Sequence, residues 1–348
     1  MITVLAGGVG AARFLLGLTQ VVPAADITAI VNTADDTVMH GLYICPDLDT
    51  VTYTLAGAID RERGWGLRDE SWRAMEALAR FVPARPQSSN AAPTWFNLGD
   101  QDLATHFYRT ARLAEGASLS EVAGEIAHAF GLHVRILPMS DQRVETRVTI
   151  VGEGEGEGEG EGEGEGEGEG QVEGEGEGEV EVEVSFQEYF VKRHHDVAIS
   201  AVRFIGAEQA SLTGSAARAL MGAHAIVIAP SNPIVSIGPI RALSGVDAAL
   251  SARRQSVVAI SPIVGGAALK GPADRMLREL GHEASVVGVA RLYASIASTL
   301  VIDPVDAHLA RQVEAAGMRA VVIPSVMSTP EISAELSRTV LDAAGVAY

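Results

Sequence analysis

The sequence predicts an α/β protein with a mostly parallel sheet flanked by helices, a helical insertion and an antiparallel ribbon. Two observations predict this class. Short runs of apolar and β-branched residues alternate along the 348 residues with segments in which apolar residues have the helical period. Most of the short runs end in glycine, asparagine, serine or proline, which are typical of turns. Because parallel strands need a crossover connection, usually a helix, this alternation favours a parallel sheet covered on both faces.

The N-terminal part of the chain predicts two strands and the helix between them. Ile2–Ala6 is an apolar run, Gly7-Gly8-Val9-Gly10 indicates a turn, and Ala11–Val21 has the helical period. Since no basic segment precedes the apolar run, it indicates a first strand and not a signal peptide. Asp26–Val31 predicts the second strand, which ends in the polar cluster Asn32-Thr33-Ala34-Asp35-Asp36.

The remaining elements predict a single domain over residues 1–348. Its core comprises residues 1–60 and 197–348, and residues 61–196 form a helical and ribbon insertion. Between Glu70 and Gly131 the insertion is helical, apart from a proline-rich loop. Ser118 and Glu121 have the spacing of a capping box, which predicts a helix start. The later strands of the core are predicted at Ala225–Ala229, Ser256–Ile260, Thr299–Ile302 and Ala320–Ile323.

A low-complexity Glu-Gly tract lies between two predicted strands of the ribbon, Arg143–Ile150 and Val180–Val191. Between positions 152 and 184 the chain has 15 glutamates and no basic residue. Glycine loses backbone entropy on ordering and the glutamates repel one another, so residues from about 152 to 180 are expected to be disordered. An expansion tolerated at a hairpin tip is favoured over an acidic metal-binding segment, because evenly spaced flexible carboxylates form no fixed coordination shell.

Charge and composition exclude several classes of protein. The chain has 26 basic and 45 acidic residues, but only 30 acidic residues remain without the glutamates of the tract. The remainder is mildly acidic and has no basic footprint for nucleic acid. Cys45 is the only cysteine, which excludes an intrachain disulfide and an all-cysteine metal cluster. No apolar stretch reaches the roughly 20 residues that span a bilayer, so we expect a soluble cytoplasmic protein without a nucleic-acid or membrane partner.

The glycine-rich turn after the first strand is a candidate phosphate site. Backbone N–H groups and the positive end of a helix can approach a phosphate closely at such a turn. Gly7, Gly8 and Gly10 do not have the spacing of G-x-G-x-x-G, and no Gly-Lys-Ser/Thr follows, so the turn is not a P-loop. Arg13, in the first helical turn, is either a phosphate partner or a solvated charge, and a purely structural turn is about equally favoured.

Pairs of acidic residues are the candidate metal ligands. Asp47 and Asp49 in Pro46-Asp47-Leu48-Asp49-Thr50 precede a helical run, and we expect both carboxylates to face one cavity and to bind Mg²⁺. The alternative is helix capping by Asp49, which explains one aspartate but not two. Asp35 and Asp36 follow the second strand, where ligands bind in open α/β sheets, although a solvated loop is the alternative.

Three further segments have residues suited to binding. Leu98-Gly99-Asp100-Gln101-Asp102 precedes a helix that contains His106, for which a structural role is favoured over proton transfer. Small polar residues and a glycine follow the strand at 225–229, in the segment 230–239. A similar turn follows the next strand, at 261–272. Two such turns in succession favour hydrogen bonds to phosphates and a nucleotide over ordinary loop chemistry.

Eight motifs occur in order along the chain: Gly7-Gly8-Val9-Gly10-Ala11-Ala12-Arg13-Phe14-Leu15, Asn32-Thr33-Ala34-Asp35-Asp36, Pro46-Asp47-Leu48-Asp49-Thr50, Leu98-Gly99-Asp100, Ala104-Thr105-His106, Pro230-Ser231-Asn232-Pro233, Ser236-Ile237-Gly238-Pro239 and Ser261-Pro262-Ile263. Together they closely resemble the 2-phospho-L-lactate transferase / phosphoenolpyruvate transferase family of coenzyme F-420 biosynthesis. None of the motifs is specific alone, but their ordered set is, and it spans nearly the whole chain outside the Glu-Gly tract.

The resemblance implies a Rossmann-like fold and a Mg²⁺-dependent phosphotransferase of the substituted-phosphate-group class. In the implied reaction, the terminal ribityl hydroxyl of FO (7,8-didemethyl-8-hydroxy-5-deazariboflavin) attacks an enolpyruvyl- or lactyl-diphosphoguanosine, and GMP leaves. The start of the chain is similar to actinobacterial members, which favours enolpyruvate, and the family expectation is a homodimer.

By resemblance, the metal-binding and hydroxyl-activating roles fall to Asp47 and Asp49. Gln101 stands where the family pattern has arginine, which removes a positive charge. The residues expected to contact the nucleotide, phosphates or FO are Gly7, Gly8, Gly10, Arg13, Asn32, Asp35, Asp36, Asp100, Gln101, Ser231, Asn232, Ser236 and Gly238.

Two other functions are compatible with parts of the pattern. A nucleotide-sugar-binding regulatory protein of the same superfamily shares the Gly-Gly start and the Asn-Thr-Ala-Asp-Asp cluster. The Pro46–Thr50 and Leu98–Asp100 motifs favour the transferase over it. An NAD-dependent oxidoreductase depends on the first turn alone and lacks the acidic residue that a dinucleotide fingerprint has at the end of its second strand.

Overall fold

The structure, a computed structural model, describes residues 1–89, 91–153 and 179–348. Its strands are β1 Ile2–Ala6, β2 Ile27–Val31, β3 Thr37–Met39, β4 Leu42–Ile44, β5 Arg135–Pro138, β6 Glu145–Glu153, β7 Glu179–Ser185, β8 Ala198–Ile205, β9 Ala225–Ile228, β10 Val257–Ile260, β11 Ile263–Val264, β12 Ala267–Ala268, β13 Thr299–Ile302 and β14 Arg319–Val322. Its helices are α1 Val9–Leu18, α2 Pro46–Leu55, α3 Arg73–Ala79, α4 Asp100–Ala114, α5 Leu119–Ala129, α6 Gly214–Gly222, α7 Ile237–Ala242, α8 Val246–Ala252, α9 Ala273–Glu279, α10 Val286–Tyr293, α11 Ala310–Ala315 and α12 Pro330–Ala343.

A seven-stranded parallel sheet forms the centre of the fold, with the order β14-β13-β10-β9-β1-β2-β5. Helices α1, α2, α5 and α12 pack on one face, and α6 to α11 pack on the other. The strands are continuous apolar runs because both faces of the sheet are buried. In β1, for example, Val4 packs into one core and Leu5 into the other. The predicted α/β class is confirmed.

The order of the strands reverses beside β1. From β1 the chain continues to β2 and then to β5 on one side, and β9 returns to the other side of β1. In open α/β sheets, the crevice beyond the carboxyl ends of the strands at such a switch point is where ligands bind. The turns that follow β1 and β9 therefore mark the expected position of the site.

The antiparallel ribbon is confirmed, with one addition. Strands β6 and β7 pair in register from Arg147 with Ser185 to Glu153 with Glu179. The second strand ends at Ser185 and not at Val191, because a short π-helical segment, Glu188–Lys192, follows it. On its other edge β6 pairs with β8, so the sheet has three strands. The predicted disorder of the Glu-Gly tract falls on residues outside the described part of the chain.

Within the insertion, α4 and α5 form a helical layer beside α2 and β5. The capping box at the start of α5 is present, because Ser118 accepts from the Glu121 N–H and its own N–H donates to Glu121. Strand β5 lies inside the range 61–196 but forms the edge of the main sheet, paired with β2. Among the described residues, no helix is long and apolar enough to cross a membrane.

Candidate functional site

Small residues let the turn after β1 and the turn after β9 approach each other closely. The Gly7 N–H donates to Ser231 Oγ at 3.1 Å. A Cβ at Gly7 would lie 2.6 Å from Ser236 Cβ, and one at Gly10 would clash with the Pro230 carbonyl oxygen. Gly7 and Gly10 therefore serve close packing. Gly8 is the N-cap of α1 and has no side chain to cap the helix. Such a helix start is suited to an anion.

Asn32 brings two carboxylates together at the carboxyl end of β2. Its Nδ2 donates to Asp35 Oδ2 at 3.1 Å and to Asp47 Oδ2 at 3.0 Å. The orientation of the amide is fixed by the Ala34 N–H, which donates to Asn32 Oδ1 at 3.0 Å. A Cβ at Gly8 would lie 2.6 Å from Asp47 Oδ1, so the carboxylate lies directly against the turn. The site thus consists of a glycine turn, an amide and two acids.

Burial shifts the pKa of both acids upward, and like charge adds to the shift of Asp35. Burial raises the pKa of Asp47 to about 6, although the hydrogen bond from Asn32 lowers it. Burial and then the neighbouring charge of Asp47 raise the pKa of Asp35 well above its usual range. Among the described residues, Asp35 Oδ1 is buried without a hydrogen-bond partner. Within the described part of the chain neither carboxylate has an ion-pair partner, and a divalent cation would supply one.

Asp49 lies two residues after Asp47 on α2 but has different partners. Its carboxylate makes a bidentate ion pair with Arg109 of α4, in which Nη1 donates to Oδ2 at 3.1 Å and Nη2 donates to Oδ1. Residues i and i+2 of a helix do not face each other, which explains why Asp47 and Asp49 point to different groups. The N-cap of α2 is Cys45, so Asp49 does not cap the helix. The structure groups Asp47 with Asp35 and not with Asp49.

A buried polar network surrounds the ion pair of Asp49. His106 Nδ1 lies 3.2 Å from Arg109 Nη1, and His106 Nε2 lies 3.4 Å from Asp102 Oδ1. Tyr53 donates to the same Asp102 oxygen at 2.6 Å. Asp49, Asp102 and His106 have ligand atoms close enough together for a metal ion. However, Asp49 is already paired with Arg109, and Asp102 already accepts a hydrogen bond from Tyr53. The negative charge of Asp49 is therefore balanced within the protein, as in an ion-pair network.

Asp36 faces this network and not the Asn32 cluster. Burial raises its pKa well above the usual range, while the nearby Cys45 thiol and Arg109 guanidinium lower it. Both of its carboxylate oxygens are buried and have no hydrogen-bond partner within the described ranges. The two adjacent acids predicted from the sequence, Asp35 and Asp36, therefore lie in different environments.

The other predicted residues occupy several places. Arg13 is exposed and lines a cavity of about 500 Å³ between α1, the end of α2 and the start of α12. Asp100 is exposed and holds the start of α4, since it accepts from the Ser71 N–H at 2.7 Å. Gln101 lines a second cavity, of about 740 Å³, beside α4 and α5. The structure does not bring Asp100 and Gln101 to the Asn32 cluster.

The turn after β9 presents the remaining predicted residues. Asn232 organises it, because its Oδ1 accepts from the Ile234 N–H at 2.9 Å. Ser236 is the N-cap of α7 but makes no side-chain capping bond. Gly238 packs against Phe204, 3.1 Å from the position of a Cβ. Ser231 and Ser236 thus lie beside the Gly7 turn, while Asn232 and Gly238 shape the loop.

Sequence reasoning missed Arg109 and Tyr53, and it named Asp102 in the segment before α4 without assigning it a partner. Arg109 has a side chain only 2% exposed, although an arginine on an amphipathic helix ordinarily indicates the solvent face. The available signal was the spacing of Asp102, His106 and Arg109, which places all three on one face of α4. From the sequence alone, that face of α4 would be interpreted as polar and exposed to solvent. Only the contact with Asp49 shows that it is buried.

Comparison with known proteins shows the family to which the chain belongs. The family model described as 2-phospho-L-lactate transferase CofD matches residues 2–323. The chain belongs to the CofD family. It is 41% identical over 344 residues to a phosphoenolpyruvate transferase of Streptomyces griseus, covering 99% of this chain and 98% of that protein. It is 37% identical to a phosphoenolpyruvate transferase of Mycobacterium tuberculosis, covering 99% of each.

A solved structure gives the same fold for a more distant protein. This CofD-family chain superposes on a UPF0052 family protein of Bacillus halodurans with a TM-score of 0.56, covering 98% of both chains. The sequence identity is 14%, so this likeness concerns the fold alone. The resemblance inferred from the ordered motifs is thereby confirmed at the level of the family, and the chain is a member of a transferase family.

Proposed function

We propose that this protein transfers a phosphoenolpyruvyl group from enolpyruvyl-diphosphoguanosine to the terminal ribityl hydroxyl of FO in a Mg²⁺-dependent reaction. The hydroxyl oxygen forms a bond to the phosphorus that bears the enolpyruvyl group. The bond from that phosphorus to the bridging oxygen breaks, GMP leaves with the oxygen, and the hydroxyl proton is released. The product is the dehydro form of coenzyme F-420-0.

One observation supports the proposal above the others: Asn32 holds Asp35 and Asp47 together against the glycine turn of α1. Phosphoryl transfer requires in-line positioning and neutralisation of charge more than covalent chemistry by the protein. An acidic pair beside a helix start that is rich in free N–H groups is suited to both tasks. The names of the relatives favour enolpyruvate over lactate as the group transferred.

The donor set of the cluster fits magnesium. Carboxylate oxygens are hard ligands, and Mg²⁺ is typically bound by one or two carboxylates plus waters and substrate phosphates. The buried Asp35 Oδ1 without a hydrogen-bond partner among the described residues is the orphaned atom that a cation would satisfy. We assign Asp47 and Asp35 as the metal ligands. A bound Mg²⁺ would neutralise charge on the diphosphate.

The protein's own groups hold the donor. The start of α1 would direct backbone N–H groups toward the diphosphate, and the Ser231 and Ser236 hydroxyls, which lie beside Gly7, would add further donors. Asn32 orients both acids, since its amide donates to each and accepts from the Ala34 N–H. These contacts are preorganised, which is the condition for stabilising charge that develops in the transition state.

The decisive experiment is incubation of the protein with FO, Mg²⁺ and either the enolpyruvyl or the lactyl guanylyl donor. Mass spectrometry of the deazaflavin then shows which group was added. We expect the enolpyruvyl adduct and an equimolar amount of GMP. Absence of an adduct with both donors, together with binding of UDP-sugars but not of GDP, would contradict the proposal and favour a nucleotide-sugar-binding regulator.

A further inference from the structure

Two contacts on opposite sides fix the first turn of α2. On the side of the sheet, the Asp47 carboxylate accepts from Asn32 at 3.0 Å. On the side of the helical layer, the Asp49 carboxylate makes its bidentate ion pair with Arg109. Asp47 and Asp49 are both in the first turn of the helix, so a shift of one Cα moves the other. The position of Asp47 therefore depends on α4 as well as on the sheet.

Arg109 connects α4 to the segment that leads into α2. Its Nη1 also donates to the Tyr43 carbonyl oxygen in β4 at 3.3 Å, and its neighbour Thr110 accepts from the Tyr43 N–H at 2.8 Å. Arg109 is the largest of the fully buried side chains described. Bidentate guanidinium–carboxylate pairs impose geometry that a lysine does not reproduce. The strand, the helix start and α4 are thus held by one guanidinium.

Arg109 also determines which acids of the site are left for a cation. Four aspartates lie near the crevice: Asp35, Asp36, Asp47 and Asp49. The guanidinium is paired with Asp49, and its charge lowers the pKa of Asp36. Neither contact involves Asp47 or Asp35, whose carboxylates both accept from the neutral amide of Asn32.

We infer that Arg109 is a positioning residue, which acts through Asp49 to hold Asp47 in place for the divalent cation. This inference depends on the metal site of the proposed function. Removal of Arg109 takes away the guanidinium that pairs with the buried Asp49 and leaves only the His106 ring nearby, with Nδ1 3.8 Å from Asp49 Oδ2. Breaking a buried ion pair in this way is strongly unfavourable. The first turn of α2 then moves toward water, and Asp47 moves away from Asn32 and Asp35.

The test measures Mn²⁺ binding by electron paramagnetic resonance in the presence of GDP, without FO or turnover. The Asp47→Asn variant gives the background, which includes ions held by the Glu-Gly tract. We expect Arg109→Met to weaken the site-specific Mn²⁺ Kd at least tenfold and Arg109→Lys to weaken it less. The matched control is Arg112→Met, since Arg112 is on the same helix in a bidentate pair with Glu125 but is partly exposed. Its Mn²⁺ Kd should stay within twofold of the wild type.

Further variants separate positioning from stability. If Arg109 acts through Asp49, the Asp49→Asn/Arg109→Met double variant should bind Mn²⁺ no more weakly than Arg109→Met alone. Should Arg109→Met fail to fold, Arg109→Lys and Asp49→Asn supply the measurement. Folded Arg109 variants with the wild-type Mn²⁺ Kd would overturn the positioning role alone. A wild-type signal no greater than that of Asp47→Asn would overturn the metal site itself, and the positioning role with it.

Discussion

The carboxylate of Asp47 lies against the backbone of Gly8, with Asp47 Oδ1 2.6 Å from the position that a Cβ of residue 8 would occupy. Real Cβ atoms are not found this close to an oxygen, so a side chain at position 8 and the present place of Asp47 exclude each other. Gly8 therefore does more than start α1, because it leaves room for Asp47, an acid of the proposed metal site.

The first prediction is that Gly8→Ala displaces Asp47. We expect turnover with FO and the guanylyl donor to fall at least tenfold, because Asp47 can no longer reach Asn32 and the cation together. The matched control is Gly124→Ala, in α5, where an added Cβ meets no atom within 4 Å. Alanine is a better helix former than glycine by about 1 kcal/mol, so this control should gain stability and keep its activity. Equal turnover in both variants would show that Asp47 has no role at this position.

The second prediction is that the charges of Asp47 and Asp35 serve the reaction at the expense of stability. We expect Asp47→Asn and Asp35→Asn each to lower turnover by two or more orders of magnitude, a loss of roughly 3 kcal/mol in transition-state stabilisation. A turnover assay at saturating donor checks this. Near wild-type rates for both variants would refute the assignment of the metal ligands.

The raised pKa of Asp47 also predicts the direction in which Asp47→Asn changes the stability of the fold. The folded-state pKa of Asp47 is raised to about 6, so the folded protein binds the proton more tightly than the unfolded chain does. The charged form of Asp47 therefore lowers the free energy of unfolding at neutral pH. This destabilisation decreases as the pH falls from 6 to about 4, because the carboxylate becomes protonated in the folded protein. Without divalent metal, Asp47→Asn should raise the Tm at pH 7.5 and gain little at pH 4. Asp342→Asn, at an exposed position of α12, should change neither.

The sequence predicted the parts of this site that depend on local pattern. The glycine turn follows β1, the acids follow β2 and precede α2, and the capping box starts α5, because strand ends and helix caps are short-range features. It also named Asp35 and Asn32 as candidate binding residues, and the structure brings both together with Asp47. These positions follow from the rule that polar residues after parallel strands meet at one edge of the sheet.

We expected Asp47 and Asp49 to face one cavity, but the structure gives them different partners. The spacing of the two residues on a helix already argues against a shared cavity. Both are in one helical turn, and residues two apart on a helix point to different sides. What the sequence does not contain is the identity of the partner. Arg109 is 60 residues from Asp49, and its burial follows from tertiary packing of α4 against α2 and β4. Strand β8 was missed for a similar reason, since its pairing with β6 is non-local.

The third prediction concerns pH. A carboxylate must lose its proton to bind a metal, and burial raises the pKa of Asp47 to about 6, which moves that step toward neutral pH. The pKa of Asp35 is raised in the same direction by burial and by the charge of Asp47. Site-specific Mn²⁺ binding in the presence of GDP should therefore weaken as the pH falls below about 7, with a midpoint near or above 6. Titration from pH 5 to 8, with Asp47→Asn as background, measures it. A midpoint near 4, the range of an ordinary aspartate, would show that burial does not control these acids.

The last prediction concerns the Glu-Gly tract, and the pairing of β6 with β7 makes the experiment simple. Glu153 pairs with Glu179 in the ladder, so residues 154–178 can be replaced by Asn-Gly, the preferred two-residue hairpin turn. Loop length enters closure entropy only logarithmically, so we expect the shortened chain to fold and to keep turnover within about twofold. Its net charge becomes less negative by the 11 glutamates removed between positions 154 and 178. The salt dependence of turnover should stay the same, because Asp35 and Asp47, the acids held by Asn32, are untouched. Circular dichroism verifies the fold and the FO assay the rate. A tenfold loss of turnover in a folded, shortened chain would show that the tract takes part in the reaction.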